Sequence, residues 1–226
     1  MTKKILIVCA VLLLATGCGV KALKSNYSKM QVGDKGISGY LIDLRVYSDN
    51  REDSKILRIN NSKGDYEITT INTSINRDRT KTTTTTENPS ILDDREVTYV
   101  KDGTVYTAGE DGKYKADKTD VAFTNPTVYL EGLKNMSSLD KGTKTKIGEN
   151  EYTLYKVKFT KKVVQKILED TNLKDVKVSG NVEGEIYIDK DGYVYRMVYS
   201  LETLTINATY FSIDNPKNIY FPSEIK

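Results

Sequence analysis

The chain has 226 residues, with 34 lysines and arginines against 31 aspartates and glutamates, so its formal net charge is only +3. This near balance gives no nucleic-acid-binding footprint, so we expect no nucleic-acid partner. Because the chain has no histidine, Ser-His-Asp and Cys-His nucleophiles and the usual zinc sites are excluded as well. We therefore expect no enzyme, no metal site and no cofactor, although a pair of carboxylates acting on a glycoside stays open because acidic residues are abundant.

Residues 1–18 form a secretory leader that ends in a cysteine. A pair of lysines gives a positive start, residues 5–14 form an apolar run, and small residues precede Cys18. The apolar run is shorter than the roughly 20 residues that a membrane-spanning helix needs. Small residues directly before a cysteine resemble the lipobox of bacterial lipoproteins, although Ala15 stands where that motif usually has leucine. The resemblance implies that residues 1–17 are a signal peptide and that Cys18 is diacylated.

Lipidation of Cys18 also explains how the chain uses its cysteines. Cys9 leaves with the signal peptide, so the mature chain keeps one cysteine and forms no intrachain disulfide. Its domain must then rely on an ordinary hydrophobic core. The alternative is a plain signal peptide that leaves a free Cys18 on a secreted protein. We expect the lipidated form, held at the extracytoplasmic face of a bacterial membrane mainly by its diacylglycerol, since the net charge gives little attraction to anionic lipid.

The mature chain is predicted to consist of a short tether and one domain. Residues 18–36 are polar and rich in lysine and glycine. As a flexible coil this segment would span roughly 20–25 Å, which holds a small domain clear of a bilayer. Residues 37–226 have a length that suits a single α+β domain.

The first part of this domain is predicted to be all strands. Alternating apolar residues from Tyr40 to Val46 indicate a half-buried strand. Asp102-Gly103 between two short apolar segments indicates a hairpin turn. The run Thr82–Thr86 is either an exposed edge strand or a long mobile loop, because no apolar residue alternates with the threonines. Strands are expected over residues 40–47, 55–60, 65–73, 97–100 and 105–107.

Two helices are predicted in the middle of the chain. Asn125 and Pro126 suit the N-cap and the first helical position of a helix over 126–136. A second helix is expected over 161–172, where an apolar stripe opposes a charged face and Thr160 can cap the N-terminus. Two strands, at 144–147 and 152–159, are expected between the helices.

Residues 176–213 predict an antiparallel meander, because no helix interrupts them. Its strands are expected near 176–188, 193–201 and 203–213, with Asp191-Gly192 as one turn. Apolar residues occur at alternate positions of the last two strands, and the opposite face of the first of these is not fully polar. Both faces of the sheet therefore require a cover.

The segment Val182–Asp189, followed by Asp191–Tyr199, resembles the C-terminal meander of the periplasmic lipoprotein-carrier superfamily. That superfamily includes LolA-like and LolB-like proteins and the LppX/LprG-like glycolipid carriers. The resemblance implies an α+β fold in which a curved antiparallel sheet, a half-barrel, is covered on one face by two helices. It also implies that the domain binds an acyl chain or glycolipid in an apolar cavity.

The candidate ligand-binding residues are apolar side chains on the predicted concave face and on the helices that would cover it. The sheet is expected to contribute Tyr195, Met197, Tyr199, Ile206 and Ala208, and the helices Leu130, Leu133, Val164 and Leu168. Sites of this kind are mostly apolar and concave, and tyrosine suits their rim because its hydroxyl can stay hydrated. The competing hypothesis is a non-enzymatic interaction module with a closed core, whose exposed tyrosines dock another envelope protein.

Overall fold

The computed structural model describes residues 23–32, 37–48, 52–60, 66–71, 95–117, 125–215 and 218–225. The predicted signal peptide, Cys18 and the threonine run 82–86 lie outside these residues. The helical segments are α1 (23–29), a 3₁₀ helix (Pro126–Leu133) and α2 (Lys161–Asp170). The strands are β1 (Gly39–Ser48), β2 (Glu52–Asn60), β3 (Tyr66–Ile71), β4 (Arg95–Lys101), β5 (Thr104–Ala108), β6 (Tyr114–Asp117), β7 (Met136–Leu139), β8 (Thr143–Ile147), β9 (Asn150–Phe159), β10 (Val182–Ile188), β11 (Val194–Ser200) and β12 (Leu204–Phe211).

These strands form one antiparallel sheet that does not close on itself. Its order is β6-β5-β4-β3-β2-β1-β12-β11-β10-β9-β7, and β8 also pairs with β9. Strands β1–β6 form one half of the sheet, and β7–β12 form the other. The two halves join where β1 pairs with β12, with Leu41 opposite Phe211. The predicted antiparallel α+β class is confirmed.

One face of the sheet, here called the inner face, carries the hydrophobic core. Burial alternates along β1, where Ile42 and Leu44 are buried, and along β12, where Ile206 and Ala208 are buried. The buried residues of the 3₁₀ helix and α2 belong to the same cluster. The helices therefore cover the inner face, and the other side of the sheet is called the outer face.

The predicted helix over 126–136 is a shorter and tighter element. Hydrogen bonds from Val128 N to Asn125 O and from Lys134 N to Glu131 O span three residues, which is the 3₁₀ pattern. The helix ends at Leu133, and the chain enters β7 at Met136. α2 is confirmed over Lys161–Asp170, but the side chain of its N-cap Thr160 makes no capping hydrogen bond.

Residues 23–32 are part of the domain, although the sequence predicted a flexible tether there. Leu23 and Met30 are 0% and 1% exposed, because residues seven apart share one face of a helix. Asn26 Nδ2 donates to Gly192 O at 2.6 Å, which fixes α1 on the turn between β10 and β11. Any tether between Cys18 and the domain is correspondingly shorter than predicted.

Other differences concern strand ends and hairpins. The first strand of the predicted meander begins at Val182 rather than at 176, and neither β6 nor β7 was predicted. The hairpin at Asp102-Gly103 is confirmed: both residues have positive φ, at 48° and 76°, as a two-residue turn between twisted strands requires.

Candidate functional site

The inner face of β9–β12 brings together most of the residues predicted to bind a ligand. Met197 lies opposite Ile186 on one side and Ala208 on the other. Tyr199 lies opposite Gly184 and Ile206 in the next row. Four of the five predicted sheet residues are 0% exposed and share this face, namely Met197, Tyr199, Ile206 and Ala208.

Tyr195 is the exception, and the prediction that it shares this face is wrong. Arg196 pairs with Tyr187, but Val194 pairs with Ile188, so Tyr195 is an extra residue in a β-bulge. Val194, which is 0% exposed, takes the inner position in its place. A shift of one residue moves a side chain to the opposite face of a sheet, and Tyr195 therefore lies on the outer face.

The helical residues predicted to cover the site are also fully buried. Leu130, Leu133, Val164 and Leu168 are each 0% exposed and belong to the core on the inner face. Gly132 shows how closely the 3₁₀ helix approaches the sheet. A Cβ atom placed there would lie 2.6 Å from the Tyr199 hydroxyl and 2.8 Å from Met197 Cε. At this end of the inner face, helix and sheet are in direct contact with no space between them.

A hydrogen-bond chain fixes this contact. The Tyr199 hydroxyl donates to Tyr129 O at 2.5 Å, and the Tyr129 hydroxyl donates to Asp170 Oδ2 at 2.8 Å. The other oxygen of Asp170 accepts from Asn125 N, so one carboxylate connects α2 to the start of the 3₁₀ helix. Burial raises the pKa of both tyrosines, and the adjacent Asp170 carboxylate raises the pKa of Tyr129 further. Both hydroxyls are therefore held in the neutral, donating form.

Tyr210 differs from these two tyrosines. Its side chain is 1% exposed, and its hydroxyl has no hydrogen-bond partner among the residues that the structure describes. It lies opposite Ile42, and its ring packs edge-on against Tyr40 with centroids 5.4 Å apart. Burial raises the pKa of Tyr210, and the nearby Tyr40 and Tyr199 raise it further. The Tyr210 hydroxyl is thus neutral, and no described residue accepts its hydrogen bond.

Sequence reasoning did not select Tyr129, Asp170 or Tyr210 as site residues. Tyr129 and Asp170 are 41 residues apart and lie on different helical segments, so no local pattern links them. A signal did exist for Tyr210, because it continues the alternation of Ile206 and Ala208 along β12.

The outer face of β9–β11 carries an aromatic cluster. The rings of Tyr152 and Tyr195 stack with centroids 4.3 Å apart. The Arg196 guanidinium lies 5.1 Å from the Tyr195 centroid and 5.7 Å from the Tyr187 centroid. Desolvation, followed by the hydrogen bond to Glu185, raises the pKa of Tyr187 to about 12. Tyr152 and Tyr195 also line an open cleft of about 570 Å³, whose rim includes Glu149, Glu151, Asp189 and Asp191.

Neither a metal centre nor a transmembrane helix is found in the described part of the chain. No three histidine, cysteine, aspartate or glutamate side chains there are arranged to hold a metal ion. No described helix has the length and hydrophobicity to cross a bilayer.

No protein-family model and no curated protein sequence match the chain, but solved structures match its fold. Lipoprotein LppX of Mycobacterium tuberculosis is 10% identical, with 90% of this chain and 99% of that chain aligned and a TM-score of 0.59. LprF from Mycobacterium bovis is 12% identical, with 90% and 96% aligned and the same TM-score of 0.59. A putative outer membrane lipoprotein-sorting domain from Vibrio parahaemolyticus is 6% identical, with 88% and 92% aligned and a TM-score of only 0.31. The chain therefore has the fold of LppX and LprF, as the sequence resemblance implied.

Proposed function

We propose that the protein is a lipoprotein of the bacterial envelope, anchored through Cys18, and that it binds an apolar ligand such as the acyl chain of a lipid or glycolipid. The ligand lies between the inner face of a curved, half-barrel sheet and the covering helices. The leader sequence, the shared fold with LppX and LprF, and the apolar inner face support this proposal. The protein acts by binding and carries out no chemical reaction.

The observation that carries the proposal is the unpaired hydroxyl of Tyr210. A buried hydroxyl without a partner costs about 1–3 kcal/mol of stability. Phenylalanine would fill the same space without that cost, so packing alone does not explain a tyrosine at this position. An ester or headgroup oxygen of a bound lipid would accept the hydrogen bond and offset the cost.

The closed end of the inner face indicates where the ligand lies. Gly132 is in direct contact with Met197 and Tyr199, so these residues form a wall rather than the lining of the site. The proposed site lies further along the inner face, where Ala208 and Tyr210 of β12 lie beside Leu44 and Ile42 of β1. Ala208 has the smallest side chain in this row of the sheet, and it pairs with Leu44.

The experiment uses the full-length Cys18→Ser chain, which lacks the anchor and therefore carries little bulk membrane lipid. Purified protein is extracted with organic solvent, and the extracted lipid is quantified by mass spectrometry. We expect close to one lipid per protein in this chain and a loss of at least fivefold in Ala208→Trp. Thr209→Trp is the matched control, because it adds the same ring on the outer face one residue away.

Ala208→Trp could also fail to fold, so a second variant decides the outcome. Tyr210→Phe removes a single buried oxygen, and we expect it to fold while its lipid content falls several-fold. Lipid at background level in the unsubstituted Cys18→Ser chain, or equal lipid content in all folded variants, would overturn the ligand proposal. Absence of an acyl modification at Cys18 of the unsubstituted protein, measured by mass spectrometry, would overturn the anchor.

A second candidate function is a docking module for another envelope protein. The outer-face cluster favours it, because the stacked Tyr152 and Tyr195 border the cleft and aromatic side chains are enriched in interfaces. Under this hypothesis Tyr195→Ala abolishes in-cell crosslinking to one defined partner, and Tyr210→Phe leaves it unchanged. The opposite pattern would reject the docking hypothesis.

A further inference from the structure

Three exposed lysines lie at or near α1, the helix with which the described part of the domain begins. Lys24 and Lys29 belong to α1, and Lys134 follows the 3₁₀ helix. Lys134 Nζ lies 3.9 Å from the centroid of the Tyr27 ring, and Lys29 Nζ lies 5.7 Å from that of Tyr193. The α1 patch is defined here as these three lysines with the two tyrosines that they contact.

Within the described ranges, no carboxylate forms an ion pair with a lysine of the α1 patch. Lys29 Nζ donates to the backbone oxygen of Asp191 at 2.6 Å, not to its side chain. In the described part of the chain, none of the three lysines forms an ion pair, whereas Lys166 is paired with Glu131. The patch is therefore locally basic, although the whole chain is almost neutral.

The reach of the anchored segment limits where the patch can lie. Leu23 is 0% exposed and so is fixed in the core. Four residues lie between Cys18 and Leu23, and the five Cα–Cα steps that join the two span at most about 18 Å when fully extended. A compact domain of this length has a radius of gyration of about 17 Å, and its full width is more than twice that value. The segment is therefore much shorter than the width of the domain. The side of the domain that carries α1 must face the membrane that holds the lipid.

We propose that the α1 patch rests on the anionic phosphate headgroups of the membrane in which Cys18 is anchored. This inference depends on the anchor at Cys18 in the proposed function. Each lysine close to an anionic surface is attracted to it, and this attraction falls off within about a Debye length. Tyrosine rings suit the interface between headgroups and water. The lipid chains hold the protein at the membrane, and the patch sets its orientation there.

The orientation is measured on the mature lipidated protein in vesicles of phosphatidylcholine and phosphatidylglycerol at 3:1. Because Cys18 is acylated, an introduced cysteine is the only free thiol and takes a single fluorophore. Ser28→Cys places the fluorophore on α1. Ser200→Cys is the control, since this exposed serine ends β11 about 20 Å from the turn that α1 contacts. Quenching by a headgroup-labelled nitroxide lipid reports how close each fluorophore lies to the bilayer surface.

We expect quenching at residue 28 to exceed that at residue 200 at least threefold. The combined change Lys24→Glu, Lys29→Glu and Lys134→Glu should reduce this ratio towards one. The same charge change at Lys113, Lys144 and Lys146, which lie at the two edges of the sheet, should leave the ratio intact. Equal quenching at both positions of a protein that floats with the vesicles would overturn the orientation and leave the anchor standing. A protein that does not float would overturn both.

Discussion

The two faces of β9–β11 use tyrosine in opposite ways. On the inner face, Tyr199 is 0% exposed, and its hydroxyl donates to the backbone oxygen of Tyr129. On the outer face, Tyr187 hydrogen-bonds Glu185 and lies beside the Arg196 guanidinium. Tyr199 thus acts as a large core residue with a fixed hydrogen-bond partner, whereas Tyr187 takes part in a charged and partly hydrated network. The number of tyrosines in the chain therefore predicts neither a cavity nor an interface, because the face decides the role.

The largest expected effect is alkaline unfolding driven by the inner face. Burial raises the pKa of Tyr129, Tyr199 and Tyr210, while unfolded tyrosine ionises with a pKa near 10. The stability held by these neutral hydroxyls is complete below pH 10 and is lost as the pH rises towards their folded-state pKa values. Ionisation of each tyrosine in the unfolded state should lower the free energy of unfolding by about 1.4 kcal/mol at pH 11. The three tyrosines together should lower it by about 4 kcal/mol.

This expectation is checked by absorbance at 295 nm and circular dichroism recorded over the same pH series. Tyr129, Tyr199 and Tyr210 should ionise only together with the loss of structure. Tyr187 lies on the outer face, and its ionisation, with a pKa of about 12, does not require unfolding. Ionisation of all tyrosines with unchanged circular dichroism would contradict the proposed difference between the faces.

The second effect tests how tightly the inner face is packed. A Cβ atom at Gly184 would meet the backbone oxygen of Val198 and the ring of Phe159 at less than contact distance. A backbone atom within a sheet has little freedom to move, so Gly184→Ala should destabilise the fold by about 3 kcal/mol or more. Gly180→Ala is the control, because no atom lies within 4 Å of its Cβ. Urea denaturation should show a large drop in midpoint for Gly184→Ala only, and similar midpoints for both variants would refute tight packing here.

The third effect compares neighbouring residues of one strand. Met197 is 0% exposed on the inner face, and Val198 is half-buried on the outer face. Met197→Ala should lower the free energy of unfolding by about 2–3 kcal/mol, because it leaves a cavity beneath the 3₁₀ helix. Val198→Ala should cost less than about 1 kcal/mol. Chemical denaturation of both variants measures the difference, and a larger loss for Val198→Ala would reverse the assignment of the faces.

The smallest effect is a change in stability that has opposite signs for two tyrosines of the inner face. Tyr199→Phe leaves the Tyr129 carbonyl without its donor and should destabilise by about 1 kcal/mol. Tyr210→Phe removes a hydroxyl that hydrogen-bonds no described residue, and it should stabilise the ligand-free protein by about 1 kcal/mol. Melting temperatures of the delipidated Cys18→Ser chain should therefore move in opposite directions. A loss of stability in Tyr210→Phe equal to that in Tyr199→Phe would show that the Tyr210 hydroxyl is hydrogen-bonded after all.

The sequence predicted the inner face where the strands are regular. Met197 and Tyr199 follow a period of two, and so do Ile206 and Ala208, so their shared face could be deduced from spacing alone. Tyr195 obeys the same spacing but lies on the other face, because the bulge opposite Tyr187 and Ile188 inserts one residue. No turn residue marks that bulge in the sequence, which is why periodicity failed at this position.

The helical segments show a second limit of local patterns. The apolar residues of the 3₁₀ helix are too few to distinguish its period from that of an α-helix, and the close approach of Gly132 to the sheet depends on tertiary structure. For α1 the signal was present, since Leu23 and Met30 are seven residues apart, but the surrounding lysines and glycines suggested a tether. The contact of Tyr129 with Asp170 depends on tertiary structure and has no local signature.

The pairing of β1 with β12 has a consequence for how the protein is made. Leu41 and Phe211 come from opposite ends of the domain, and their strands form the centre of the sheet. Because the chain is synthesised from its N-terminus, β1 is made long before β12. The central strand pair therefore cannot form until the final strand has been made. Closing so long a loop is slow, and the β1 edge stays open until then. The domain should therefore remain incompletely folded until the last strand arrives and then acquire its core in one late step.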